Sequence, residues 1–153
     1  MHLYLAQHAE AKPVETDPTR GLTPKGIADV QKVAAHLATL NFDIKKIYHS
    51  GKTRASETAS VLAAELKPVK GSFEAEGLGP QDDPKIWHER LKAIDEDVIL
   101  VGHLPHLRRL ASLLLCEDSE RSVVHFKQAG MVCLKRVEND WSLEWAISPE
   151  LFT

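Results

Sequence analysis

What this sequence has little of narrows the field first. Only two cysteines, Cys116 and Cys133, occur among its 153 residues, both in apolar surroundings ("LLLCEDS" and "MVCLKRV"). Two thiols so far apart do not make a disulfide framework, and they read as buried, reduced cysteines of a cytoplasmic protein. No apolar run approaches the ~18 residues of a membrane span. The N-terminus carries one apolar pentad and no cleavage pattern, so neither a signal peptide nor a membrane partner is expected. A basic excess is missing too: the formal net charge is −3. That argues against a nucleic-acid partner, yet leaves room for a local basic pocket that takes a small anion. There is no repeat, linker or low-complexity tract. A chain of this length is expected to fold as a single domain, 1–153, with a core that needs no covalent staples.

What is present is an alternation of short apolar runs and amphipathic stretches. Residues 2–7 ("HLYLAQ") read as a strand buried on both faces. Residues 9–22 hold Pro13, Pro18 and Gly21 among polar neighbours and read as loop. Thr23 is placed as an N-cap with Pro24 at the first helical position. Ile27, Val30, Val33, Ala34 and Leu37 then recur at helical spacing, and Asn41 stops the helix. A second strand is expected over 45–50, a second helix over 52–66 and an edge strand over 68–73 ("PVKGSF"). Gly77, Gly79 and Pro80 mark a loop before a third helix over 83–95. Residues 97–103 ("DVILVGH") give the clearest strand, followed by a helix over 104–116 with Pro105 at its start. Two final strands meet in a hairpin at Glu138-Asn139-Asp140. The pattern predicts a three-layer α/β/α fold whose central sheet is mostly parallel, with an antiparallel C-terminal strand.

In such a sheet, ligands bind at the carboxyl ends of the strands. Three predicted strands end in residues suited to an anion. The first ends in Gln7-His8; the second ends in His49-Ser50, with Arg54 one turn into the next helix; the fourth ends in Gly102-His103. Taken alone, His8 reads as a solvated loop residue, Arg54 as a surface partner of Glu57, and His103 as a strand end. Together, at three ends of one sheet edge, they describe a receptor for phosphate, aided by helix N-termini.

Four motifs in this order resemble the histidine phosphatase superfamily, with its phosphoglycerate-mutase-like fold, and in particular the small phosphohistidine phosphatases of the SixA type. They are "LYLAQHAEA", "RGLTPKG" (Arg20 to Gly26), "SGKTRASETA" (Ser50 to Ala59) and "VGHLP" (Val101 to Pro105). The resemblance implies that His8 is the nucleophile that becomes phosphorylated, and that Arg54 and His103 contact the transferring phosphoryl group. It implies that Arg20 is a basic residue near the pocket mouth. Two departures stand out: Gln7 replaces the family's arginine, and Ala9 replaces its glycine. Gln7 can donate a neutral hydrogen bond only, which is about half as strong as a charge-assisted one and lacks the bidentate fork. Ala9 adds a methyl group where the chain is expected to approach a ligand or to need a glycine-like conformation.

The implied chemistry is removal of a phosphoryl group, from phosphohistidine on a protein, through phospho-His8. A neutral His8 attacks, while Arg54, Arg20 and a protonated His103 offset negative charge. No cofactor and no metal is called for. The partner is a phosphorylated protein or a small phosphate compound. Candidate leaving-group acids are confined to Glu76, Asp82 and Asp83 in one loop, none of them compelling. A P–N substrate suits that poverty, because imidazole leaves more readily than an alkoxide. The alternative is a catalytically weakened phosphate-recognition module of the same fold, which Gln7 and Ala9 favour. A metal hydrolase built on His103, His106, Cys116 and His8 is a remoter alternative whose spacing matches no zinc set. Trp87, Trp141 and Trp145 read as packing residues, and His36, His88 and His125 as surface or core-edge residues.

Overall fold

The computed structural model describes residues 1–152. A six-stranded sheet runs through its centre: β1 (His2–Gln7), β2 (Lys46–His49), β3 (Ser72–Glu74), β4 (Val98–Gly102), β5 (Met131–Val137) and β6 (Asp140–Ile147). The spatial order is β3-β2-β4-β1-β5-β6. The pairs β1/β4, β4/β2 and β2/β3 are parallel. β5 pairs antiparallel with both β1 and β6, so it alone runs against the others. The mostly parallel α/β architecture expected from the alternation is what the chain adopts.

Alternation of side chains assigns the two faces. Tyr4 and Ala6 of β1 join Ile47, Ile99, Val101 and Cys133 in a layer beneath α1 (Pro24–Ala38) and α2 (Thr53–Leu66). Leu3 and Leu5 join Leu100, Val132 and Leu134 in the opposite layer, beneath α3 (Lys85–Leu91) and α4 (His106–Cys116). Burial of one large aliphatic side chain stabilises by about 1.5–3 kcal/mol. A strand with both faces covered must therefore be apolar at nearly every position, which is why β1 and β4 read so plainly.

The first helix starts as its capping residues dictate. Thr23 Oγ1 accepts from the Gly26 amide at 3.0 Å, and Pro24 follows in the first turn. A β-carbon at Gly26 would run into the Glu10 carbonyl, so only glycine lets α1 begin against the segment that leaves β1. Glu10 also receives the Thr23 hydroxyl on its carboxylate at 2.9 Å. These contacts tie the loop after His8 to the head of α1.

Most element boundaries differ from the sequence reading by a residue or more, α1 ending at Ala38 rather than at Asn41, and three of the differences have a local cause. β3 covers Ser72–Glu74 rather than 68–73, because Pro68 and Val69 serve the turn from α2, whose cap Lys67 is left-handed. α3 ends at Leu91, not at 95, because Arg136 of β5 donates to the Leu91 and Ile94 carbonyls at 2.6 and 2.7 Å. These are carbonyls that a continuing helix would have needed. α4 begins at His106; Pro105 is its N-cap, after a cis Leu104–Pro105 peptide. The hairpin turns on Glu138 and Asn139, with Val137 opposite Asp140. Cys133 is buried as expected, but Cys116 is only half-buried at the end of α4. Trp87 is core; Trp141 and Trp145 are half-buried, Trp141 against the same layer as Trp87 and Trp145 against the opposite one. His36 and His125 are exposed and His88 is intermediate.

Candidate active site

The parallel register brings the carboxyl ends of the strands level. Gln7 pairs with Gly102, His49 with Val101, and His49 with Glu74. His8 and His103 each follow the last residue of a strand, so their rings emerge side by side. The ring centroids are 5.1 Å apart at an interplanar angle of 49°. The His8 amide donates to the Gly102 carbonyl at 3.0 Å, extending the ladder by one bond and holding the two strand ends together.

The His8 ring is set by its own neighbour. Nδ1 lies 2.7 Å from the Ala9 carbonyl. A carbonyl only accepts, so Nδ1 carries the proton and Nε2 presents its lone pair. Burial lowers the His8 pKa from its ordinary value; the Ala9 contact raises it in part, and the Arg54 and Arg20 charges lower it further. The ring is therefore neutral at neutral pH. The Ala9 amide donates to Thr58 Oγ1 at 3.0 Å, and the Thr58 hydroxyl donates to the Arg54 carbonyl at 2.7 Å. Thr58 thereby ties the residue after His8 to the helix that carries Arg54.

His103 is 1% exposed. Its Nε2 shares a 2.6 Å hydrogen bond with Ser50 Oγ, which also accepts from the Lys52 amide at 3.3 Å. Burial, followed by the Arg54 charge, pushes its pKa down to about 3. A standing imidazolium at His103, as the sequence reading had it, does not fit the free protein, in which the ring is neutral. Burial and then the Arg20 charge also lower Arg54, which remains a guanidinium. Buried polar atoms converge here without partners: Gln7 Oε1, Arg54 Nε and His103 Nδ1.

Arg20 adopts a left-handed backbone (φ 54°) in the loop between β1 and α1. Asp17 steadies that loop by accepting from the Thr19 and Gly21 amides, and Arg20 Nε donates to the Lys12 carbonyl at 3.0 Å. Its charge acts on both His8 and Arg54. The expectation for Ala9 is corrected. It is wholly buried in the layer beneath α1 and α2 and is not among the residues with positive φ, so it neither faces a ligand nor needs glycine. Ser50 was expected at the anion-facing end of the second strand, whereas Lys52 and Thr58 carried no expected role in the site. All three lie within the "SGKTRASETA" stretch, and the position of Thr58 four residues after Arg54 was the available signal. Among the described residues, no three His, Cys, Asp or Glu side chains are grouped as a metal ion would need. No helix is long and apolar enough to cross a membrane.

The arrangement is one neutral imidazole with a directed lone pair, a second imidazole beside it, and guanidinium and ammonium charge around both. It suits nucleophilic attack on an oxyanionic phosphorus centre. The family signature described as "Histidine phosphatase superfamily (branch 1)" matches residues 3–76, which include Gln7, His8, Arg20 and Arg54. The chain belongs to the histidine phosphatase superfamily. It is 33% identical over 143 residues to an uncharacterized protein of Picosynechococcus, covering 88% of this chain and 85% of that one. It is 30% identical over 99 residues to the human mitochondrial serine/threonine-protein phosphatase PGAM5. That match covers 61% of this chain but only 34% of the relative, so the chain spans about a third of that phosphatase's length. Its backbone superimposes on the protein histidine phosphatase SixA complexed with tungstate with a TM-score of 0.88, covering 99% of both chains at 20% identity. At that identity the likeness speaks for the fold.

Proposed function

We propose that this chain is a phosphatase that removes the phosphoryl group of phosphohistidine on a protein, by way of a covalent intermediate on His8. One observation carries the reading: Nδ1 of His8 is committed to the Ala9 carbonyl at 2.7 Å, which leaves Nε2 as a directed nucleophile beside His103. In the first step the Nε2 lone pair forms an N–P bond as the P–N bond to the leaving imidazole breaks. The departing nitrogen takes a proton from solvent. In the second, a water oxygen attacks phosphorus, the bond to His8 breaks and inorganic phosphate leaves; the water's protons pass to phosphate and solvent.

Arg54 and Arg20 offset the charge on the phosphoryl oxygens. Gln7 adds a neutral hydrogen bond. His103 is neutral beforehand, and a bound dianion works against the burial and the Arg54 repulsion that keep it so. Its ring then gains a proton and donates to the phosphoryl group. The three loop acids, Glu76, Asp82 and Asp83, are exposed, with no partner that marks one as a proton donor. A good leaving group such as imidazole needs little help. A phosphorylated protein, or a small phosphate compound with a similar leaving group, met in the cytoplasm where Cys116 and Cys133 stay reduced, fits these features.

Incubation with radiolabelled phosphoramidate or a phosphohistidine-bearing protein tests the proposal. The expected result is phosphate release together with acid-labile, base-stable label on His8, absent in His8→Ala. Folded protein that neither turns over nor labels with these donors or with simple esters would overturn it. Gln7 favours the second reading, a phosphate-recognition module. That reading predicts phosphate binding with neither label nor release.

A further inference from the structure

An open cleft of about 830 Å³ adjoins the phosphate site and shares Ser50 and Arg54 with it. Its lining carries both signs of charge: Lys52 and Arg54, and the three carboxylates Glu74, Glu76 and Asp82. We propose that this cleft selects phosphorylated substrates whose leaving portion carries a positive charge, seating the phosphoryl group at Arg54 and the cationic part against Glu74, Glu76 and Asp82. This deepens the phosphatase reading above and rests on it.

The chain segments that carry the acidic residues are anchored. Glu74 ends β3 opposite His49, so the ladder sets it next to Ser50. Its carboxylate lies against Gly51, where φ is 88° and where any β-carbon would collide with it. The backbone at Glu76 is fixed by its carbonyl, which accepts from Trp87 Nε1 at 2.9 Å and from Arg90 at 2.6 Å. Asp82 is fixed by accepting the Gly79 amide on one carboxylate oxygen at 2.8 Å. Among the described residues none of these three carboxylates is in an ion pair, although nine ion pairs are formed elsewhere. At the other end, Arg54 Nε and His103 Nδ1 are buried without partners, and His103 reaches the cleft wall through Ser50.

Three unpaired carboxylates beside an anion site would repel an acidic leaving portion and attract a basic one. A molecule with both charges, phosphoryl at one end and ammonium, guanidinium or imidazolium at the other, complements the whole cleft. The same chemistry arises in a small aminoalkyl phosphate and in a phosphohistidine flanked by basic residues.

Two matched pairs tell these sources apart. The small pair is O-phosphorylethanolamine against 2-hydroxyethyl phosphate. The peptide pair is a phosphohistidine peptide flanked by lysines against one flanked by glutamates. The expected result is about tenfold higher kcat/KM for the cationic member of at least one pair at low ionic strength, shrinking in high salt. The combined Glu74→Gln, Glu76→Gln, Asp82→Asn variant should bring the ratio close to one while its melting temperature stays near that of the parent. Which pair shows the preference identifies the source. Turnover of both members of both pairs at equal rates overturns the selection and leaves the phosphatase reading standing. No turnover of any of the four substrates overturns both.

Discussion

The two ends of the sheet treat polar groups in opposite ways. At the amino ends of β1 and β4, partners are found. The Met1 ammonium donates to the Arg136 carbonyl at 3.2 Å, and the His2 amide donates to Asp97 at 2.7 Å. The Arg136 guanidinium closes the end of α3 and meets Asp95 at 3.0 Å. At the carboxyl ends, Gln7 Oε1, Arg54 Nε and His103 Nδ1 are buried without partners. Among the described residues, the four remaining such atoms, on His106, Arg109 and Ser112, belong to α4. An unpaired buried polar group costs about 1–3 kcal/mol. Three of these atoms thus lie on residues that would meet an anion, and the opposite end supplies cohesion.

The sharpest way to break this contrast is to remove a group from each end. Arg54→Met should lower kcat/KM roughly a hundred- to a thousandfold, the scale of losing one oriented transition-state donor. The melting temperature should hold or rise, because a half-buried cation whose Nε has no partner has gone. Steady-state kinetics and calorimetry on one preparation check both halves. Arg136→Ala should do the reverse. It frees the Leu91 and Ile94 carbonyls and costs about 2 kcal/mol, or roughly 6 °C, while turnover per folded molecule is unchanged. A kinetic defect there with no change in melting would erase the distinction.

Acid sharpens the comparison. Burial is the leading cause that holds His8, His103 and His106 below the ordinary 6.5, with His103 at about 3. Below pH 6.5 the unfolded chain takes up these protons and the native chain resists them. Stability is therefore full above pH 6.5 and is lost progressively toward pH 3. Each group contributes about 1.4 kcal/mol per pH unit within its own window. Melting temperature should fall between pH 7.5 and 5.5, and His106→Leu should flatten that slope; an unchanged slope would show that His106 is not part of it. The smallest effect is expected from Gln7→Arg. A charge-assisted bond in place of a neutral one should tighten inhibition by inorganic phosphate about fivefold. No change in the inhibition constant would mean that the side chain at this position does not reach the anion.

The sequence was most readable where the physics is local. β1 and β4 announce themselves because both faces are covered, and α1 because Thr23 and Pro24 form a regular helix start. β3 is exposed at all three of its residues, so no alternation marks it, and its start was misplaced. The end of α3 depends on Arg136, forty-five residues from Leu91 along the chain, and no window around residue 91 contains that information. In the site, Gln7, His8, Arg20, Arg54 and His103 were visible as motif residues at strand ends and in their loops. The neutral state of His103 was not visible, because it follows from burial and from the neighbouring Arg54. The mixed lining of the cleft was equally hidden: Glu74 joins Lys52 and Arg54 there only when β3 lies beside β2.

The contact between the His8 ring and the carbonyl of residue 9 has one more implication. The acceptor is main chain, so no substitution at position 9 can delete it; only a change in the path of the backbone can. Drift in the neighbouring side chain, from the family's glycine to alanine here, therefore leaves the aim of His8 Nε2 untouched. Mutational scanning should find position 9 sensitive to bulk, through packing, and indifferent to chemistry.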